Sequence, residues 1–427
     1  MLALEPQKTQ NIYNLLNQQR MGLNYNRECD LEACLNNVVH HRLMHNITQN
    51  NCLKTIYNIQ NHQIVAFDVN GHLVATHSWN KTIKLWNLDT GACLWTFNAK
   101  HPLFGKIMLR IIEGKVVCAG FEKLDDQTTI RIIDIETGKE TAKFRCSSEE
   151  NSCICSKVCT IGNRIFTLDR NDIRESNLEG KLVRMIKMDD LLPASLFLGQ
   201  GNFLVHISEK NITIHDLANN QNQNIKINSL EEGKSIISSA YINGDRLICG
   251  IQSKKNSKSS CCMIDLQNGE VCFRYPGKDK DGKLLYLPPN NKIKKIVASN
   301  EGIYFTDRLG GLFAINIAKN THQVLGIHAN VIKTLSLEGG VLVSASGGSF
   351  SSLAELKFWD ATRGALLSEK KFDGIRNILF TSAKIFAVVE KSLIQWDYLV
   401  SHEGEKLTAL SADEIERDPD ARNCIVQ

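Results

Sequence analysis

The residues Cys424-Ile425-Val426-Gln427 form a C-a-a-X sequence. In this pattern the thiol accepts a prenyl group, and Gln in the last place favours farnesyl. The chemistry expected at Cys424 is thioether formation. Each CH₂ of the added chain that enters a bilayer then contributes roughly 0.8 kcal/mol. The preceding charges are Asp413, Glu414, Glu416, Asp418 and Asp420, against only Arg417 and Arg422. No polybasic segment assists, so one lipid alone would hold reversibly. The pattern implies a eukaryotic cytosol, with peripheral attachment to its membranes. The Asn- and Lys-rich, Pro-poor composition would suit a bacterial protein delivered into a host cell, at a host membrane.

Other reactive residue types do not assemble into a catalytic or metal-binding pattern. Cys153, Cys155 and Cys159 have the spacing C-x-C-x₃-C, which is not a zinc pattern. His41 and His45 stand one helical turn apart, but residue 42 is Arg, where a metalloprotease carries its general-base Glu. There is no G-x-S-x-G, no G-x-G-x-x-G and no P-loop. The sequence therefore implies no metal, no cofactor and no enzyme. A propeller enzyme is the alternative, because absence of a motif does not exclude activity.

The elements that position these residues are written in a repeat. A large apolar residue, then Asp or Asn, then an aliphatic one recurs from Trp86-Asn87-Leu88 to Trp396-Asp397-Tyr398. The intervening copies centre on Asp134, Asn177, Asp216, Asp265, Asn316 and Asp360. A period near 40–50 residues marks a repeat array rather than two or three separate domains. Within residues 63–98, four runs alternate or are β-branched: 65–69, 73–77, 82–88 and 93–97. Asn70-Gly71, Ser78 to Lys81 and Asp89-Thr90-Gly91 punctuate them. Each unit is thus a four-stranded antiparallel sheet. Gly or Asn usually falls four residues after the Asp/Asn, at 91, 138, 220, 269, 320 and 364, and Gly180 falls at three. That place needs positive φ. The repeat's carboxylates are expected to build turns rather than to catalyse.

These residues resemble the WD-repeat family, over roughly 53–400. The match is closest in 63–98 and from Ile327-His328 through the 342–346 strand to Trp359-Asp360. The resemblance implies an all-β fold, a β-propeller of eight four-stranded blades, or seven if one unit is merged. It also implies a binding platform. The eighth phrase leaves its blade one strand short, and Leu53-Lys54-Thr55-Ile56-Tyr57 is expected to supply it, closing the ring. Residues 51–400 form this propeller, with a short helical segment at 1–50 and a flexible tail at 401–427.

Topology then places the charges. The Lys-rich insertions carry Lys254, Lys255 and Lys258, and Lys278 and Lys280; Arg308 lies beside them in the ring. All are expected on one rim, opposite the tail. An acidic or phosphorylated protein partner suits that patch, and the small net charge of +4 argues against nucleic acid. Residues 30–53 resemble the second half of an F-box. That would imply a substrate adaptor for ubiquitin-ligase subunits; the alternative is a helical cap packed on the propeller. The 14 cysteines suit a reducing compartment, mostly as small core residues.

Overall fold

The computed structural model describes Met44, residues 46–48 and residues 53–397. Left out within that span are 58–62, 100–102, 123–126, 147–157, 170–171, 188–195, 209–210, 227–234, 254–258, 276–291, 339, 348–352, 374, 382–383 and 390–391. The described residues form eight four-stranded antiparallel sheets. Sheets one to seven run over 64–98, 103–146, 158–187, 196–226, 235–275, 295–327 and 332–373. In each of them, consecutive strands are neighbours. Sheet eight holds Ile375–Thr381, Lys384–Val389 and Ser392–Asp397, and its fourth strand is Leu53–Tyr57.

That fourth strand pairs as the missing-strand argument requires, from Leu53 opposite Asp397 to Tyr57 opposite Leu393. The first strands of successive sheets touch each other from sheet one to two and from sheet three through to eight, and the first strand of sheet eight touches that of sheet one. Sheets two and three meet through Val117, Ala119, Ile130, Val158 and Ile165. Sheets eight and one share Phe386, Val388 and Leu393 with Ile64, Phe67 and Val74. The architecture is all-β and of propeller type.

Burial follows from this stacking. Second strands lie between two neighbouring sheets, so both faces are covered: Phe203–Ile207 and Val341–Ser346 are buried at every residue. Outer strands such as Cys93–Asn98 and Gln221–Lys226 alternate between exposed and half-buried. The alternation seen in the sequence is therefore clearest at the periphery, while continuous apolar runs mark strands covered on both sides.

The repeated Asp/Asn closes the turn between third and fourth strands. Asp360 Oδ1 accepts from the N–H groups of Thr362 and Arg363, both at 2.9 Å. Asp265 does the same for Gln267 and Asn268, and Asn87 for Asp89 and Thr90. The backbone then turns left-handed at Gly91, Gly138, Asn220, Gly269, Asn320 and Gly364, and at Gly180 in the shortened copy. Only Gly and Asn visit that region cheaply, which is why the sequence spacing is so regular.

Of residues 1–50, only Met44 and 46–48 are described, all helical. Ile47 is fully buried and, with Met44, packs on the cluster between sheets seven and eight, against residues such as Phe358 and Trp396. The F-box expectation, His41 and His45, and the tail at 401–427 lie outside the described residues.

Candidate functional site

Antiparallel connectivity sorts the loops onto two rims. Connections between second and third strands, and from a fourth strand to the next sheet, share one rim, here called upper. The other turns share the lower rim, where the chain enters at Leu53 and where Asp397 ends the last strand.

Arg308 sits on the upper rim, exposed, in the turn between Gly302–Thr306 and Gly311–Asn316. Lys254, Lys255 and Lys258 fall between Arg246–Ser253 and Ser259–Asp265, and Lys278 and Lys280 follow Val271–Tyr275. The described ends of those strands, Ser253, Ser259 and Tyr275, lie on the upper rim; the five lysines themselves lie outside the described residues, as does Cys424.

The Arg308 turn is held rigidly. The buried Asp307 carboxylate accepts the N–H of Leu309 at 2.8 Å and that of Gly311 at 2.7 Å. Gly310 has φ +89, and a Cβ there would meet the carbonyl oxygens of His328 and Asn330 at 2.7 Å. His328 N–H donates to Gly310 O at 2.9 Å. The tip of sheet six is thereby fastened to the connection that leads into sheet seven.

Two cations missed by the sequence reading stand beside this tip. Lys294 N–H donates to Thr306 O at 2.8 Å, so residues 292–294 run alongside the strand that leads to Arg308. Ile293 is fully buried, which turns Lys292 and Lys294 outward on either side of it. Burial first, then the Arg308 and Lys294 charges, holds the Lys292 ammonium below its ordinary range. None of the three makes an ion pair among the described residues. Their juxtaposition depends on strand register, which residue types do not announce.

Apolar surface adjoins the cations. Leu309 is 74% exposed and Ile327 68%, with Val331 partly exposed beyond them. Beneath lies a buried polar chain: Trp359 Nε1 donates to Ser344 Oγ at 2.9 Å, and Ser344 Oγ is 2.7 Å from His328 Nε2. Lys357 Nζ donates to Ile327 O at 2.9 Å, and Glu355 accepts the Ala329 N–H at 3.1 Å. Burial lowers the His328 imidazole to about 4, aided by the Lys357 charge and opposed by Glu355. The neutral ring is therefore part of the scaffold under the rim.

The lower rim carries a cavity of about 790 Å³ between sheets four and five. Gln200, Asn202, Gln221 and Gln267 line it with Asp216 and Asp245. No His, Ser, Thr, Cys, Lys or Arg lines it, so its ionisable groups are the two carboxylates, set among amide side chains. Cys249, Cys261 and Cys262 are buried, and burial raises the Cys261 thiol. Cys159 is likewise pushed up by burial. The Cys159 and Cys261 thiols therefore stay protonated and unreactive. No group of three or more metal-ligating side chains occurs among the described residues, and no described helix is long and apolar enough to cross a membrane.

No family model matches the chain, and no curated protein matches it by sequence. Solved structures do match by shape. The computationally designed Ika8 protein is 15% identical at TM-score 0.59, covering 80% of this chain and 97% of that one. BamB from Moraxella catarrhalis is 11% identical at TM-score 0.57, covering 81% and 99%. The WD40 domain of SCAP from fission yeast is 13% identical at TM-score 0.56, covering 81% and 98%. At these identities the likeness shows the propeller-type fold alone.

Proposed function

We propose that the chain is a non-catalytic protein-interaction scaffold: a closed ring of eight blades whose upper rim, at sheets five and six, holds an acidic protein partner. The observation that carries the reading is the rigid Arg308 turn, which presents an exposed cation on the upper rim. Lys254, Lys255, Lys258, Lys278 and Lys280 extend its charge. The repeat's carboxylates support a binding role, because their oxygens serve turn N–H groups. Replacing Lys254, Lys255 and Lys258 with Glu should reduce capture of the partner from cytosol at least tenfold with no change in melting temperature. Equal capture by both proteins defeats the reading. Ubiquitin-ligase subunits in the captured set would give the scaffold an adaptor role.

The same reading includes a membrane tether. Farnesylation of Cys424 in eukaryotic cytosol would attach the chain through a tail that leaves Asp397 on the lower rim. About 25 residues, if they behaved as a random coil, would span roughly 25–30 Å root mean square. The upper rim would then face the cytosol. Mass spectrometry of the C-terminal peptide from transfected cells tests this. An unmodified Cys424, or a Cys424→Ser protein with the wild-type membrane fraction, removes the tether and leaves the scaffold.

A further inference from the structure

We infer that Lys292, Lys294 and Arg308 form a phosphate-binding subsite on the upper rim, and that Leu309 and Ile327 receive an aliphatic side chain next to the phosphorylated residue of a protein partner. The inference rests on the scaffold reading and names the chemistry of its guest.

The pairing of Lys294 N–H with Thr306 O brings Lys292 and Lys294 beside the Arg308 turn, and none of the three cations has an ion-pair partner among the described residues. Like charges in proximity disfavour one another's charged forms, and a half-buried ammonium has also lost water. Lys292 bears both costs. The described acidic group nearest in sequence, Asp307, is already engaged beneath the turn by two backbone N–H groups. A phosphate monoester carries close to two charges and three acceptor oxygens, so it can meet all three cations at one point. A single carboxylate offers half the charge and one oxygen fewer. Arg308 supplies a planar fork suited to a phosphoryl group, and the lysines supply point charges.

The tip is also preorganised. Asp307 fixes the turn, and Gly310 lies so close to the His328 and Asn330 carbonyls that no side chain fits there. Little ordering is then needed when a ligand arrives, which favours affinity. Leu309 and Ile327 stand exposed on the two segments that Gly310 and His328 tie together. Two aliphatic side chains held in water beside a cation cluster fit an amphipathic guest. An anionic bilayer shares part of this chemistry. Its charge is diffuse, however, whereas cations set beside a turn fixed by Asp307 and Gly310 suit one close, directional anion.

The test is retention on immobilised degenerate peptides with a fixed central phosphoserine, compared with the same library carrying Ser or Glu. Wild-type protein should be retained at least tenfold better on phosphoserine than on Ser, and also better than on Glu. The triple variant Lys292→Ala, Lys294→Ala, Arg308→Ala should fall to the Ser level at an unchanged melting temperature. Leu309→Ser with Ile327→Ser should weaken the selected peptides about tenfold while leaving phenyl phosphate binding as in wild type. Equal retention on phosphoserine and Ser overturns the inference. So does co-sedimentation with phosphatidylserine vesicles that the triple variant loses, if no peptide is retained. If cytosolic partner capture needs Lys254, Lys255 and Lys258 but is untouched in the triple variant, the scaffold stands and the phosphate subsite falls.

Discussion

Trp359 and Ser344 are joined by a buried hydrogen bond of 2.9 Å, indole N–H to hydroxyl, across neighbouring strands of sheet seven. The same hydroxyl serves His328 at 2.7 Å. One small oxygen thus satisfies two ring nitrogens, one of them in the connection that enters the sheet. Ser344→Ala strips both partners at once. Leaving buried polar groups unmatched costs about 1–3 kcal/mol each, so with two groups urea denaturation should show a loss of about 2–6 kcal/mol. A midpoint within error of wild type would mean that the chain of hydrogen bonds contributes nothing.

Acid should destabilise the fold before most carboxylates titrate. His77, His206 and His328 are each lowered to about 4, with burial the first cause. In the unfolded chain a histidine titrates near 6.5. Between those values the unfolded state binds more protons, so stability rises with pH there. The contribution is whole above about pH 6.5 and is lost as pH falls towards 4, on the order of 3 kcal/mol per histidine. Denaturation midpoints at pH 7, 5.5 and 4.5 should fall in that order. His77→Phe should flatten the slope, because the His77 ring nitrogens are buried with no hydrogen-bond partner among the described residues. An unchanged slope in that variant counts against the assignment.

A buried ion network lies in sheet two. Arg131 Nη2 bonds Glu122, Arg131 Nη1 donates to Glu140 at 2.6 Å, and Lys143 lies 3.5 Å from Glu122. Glu122 is fully buried and Arg131 nearly so. Removing one partner leaves a buried charge uncompensated, which costs about 3–5 kcal/mol. Glu122→Leu should therefore be severe, whereas Glu122→Leu combined with Arg131→Met should recover much of the loss. Calorimetry of both variants decides it: a double variant no more stable than the single shows that the pair is not coupled.

The glycines separate two costs. Gly71 has φ +59 and open space around it, so Gly71→Ala carries backbone strain alone, about 1 kcal/mol. Gly310→Ala adds a collision with two backbone carbonyls and should cost clearly more. It should also weaken phosphopeptide retention, because the Arg308 turn would shift. Equal melting temperatures for the two variants would argue against that rigidity.

The parts of the fold legible in the sequence are those set by local chemistry. Asn70-Gly71 and the Gly or Asn after each repeated Asp announce turns, because few residues accept positive φ. The strand at 53–57 was legible by subtraction, since an eighth phrase with three strands needs a fourth. Arg308 was legible as an exposed turn residue. Lys292 and Lys294 were not, because only pairing of residue 294 with Thr306 brings them beside it. The Ile47 contact was hidden for the same reason: it joins residues far apart in the chain, and nothing local encodes the distance. Glu122 and Arg131 read as ordinary charges on amphipathic strands until stacking buries them.

The pairing of Leu53–Tyr57 with the strand Ser392–Asp397 has a consequence for the order of assembly. A chain made from its N-terminus exposes this strand early, yet its partner at Ser392–Asp397 is among the last described segments to be made. Seven sheets can form during synthesis while the first strand waits without a mate. Its unmatched backbone groups would then be open to a neighbouring nascent chain. Completion of sheet eight is thus timed by its last strand. A ribosome that stalls before them would release an open, sticky arc rather than a smaller version of the finished molecule.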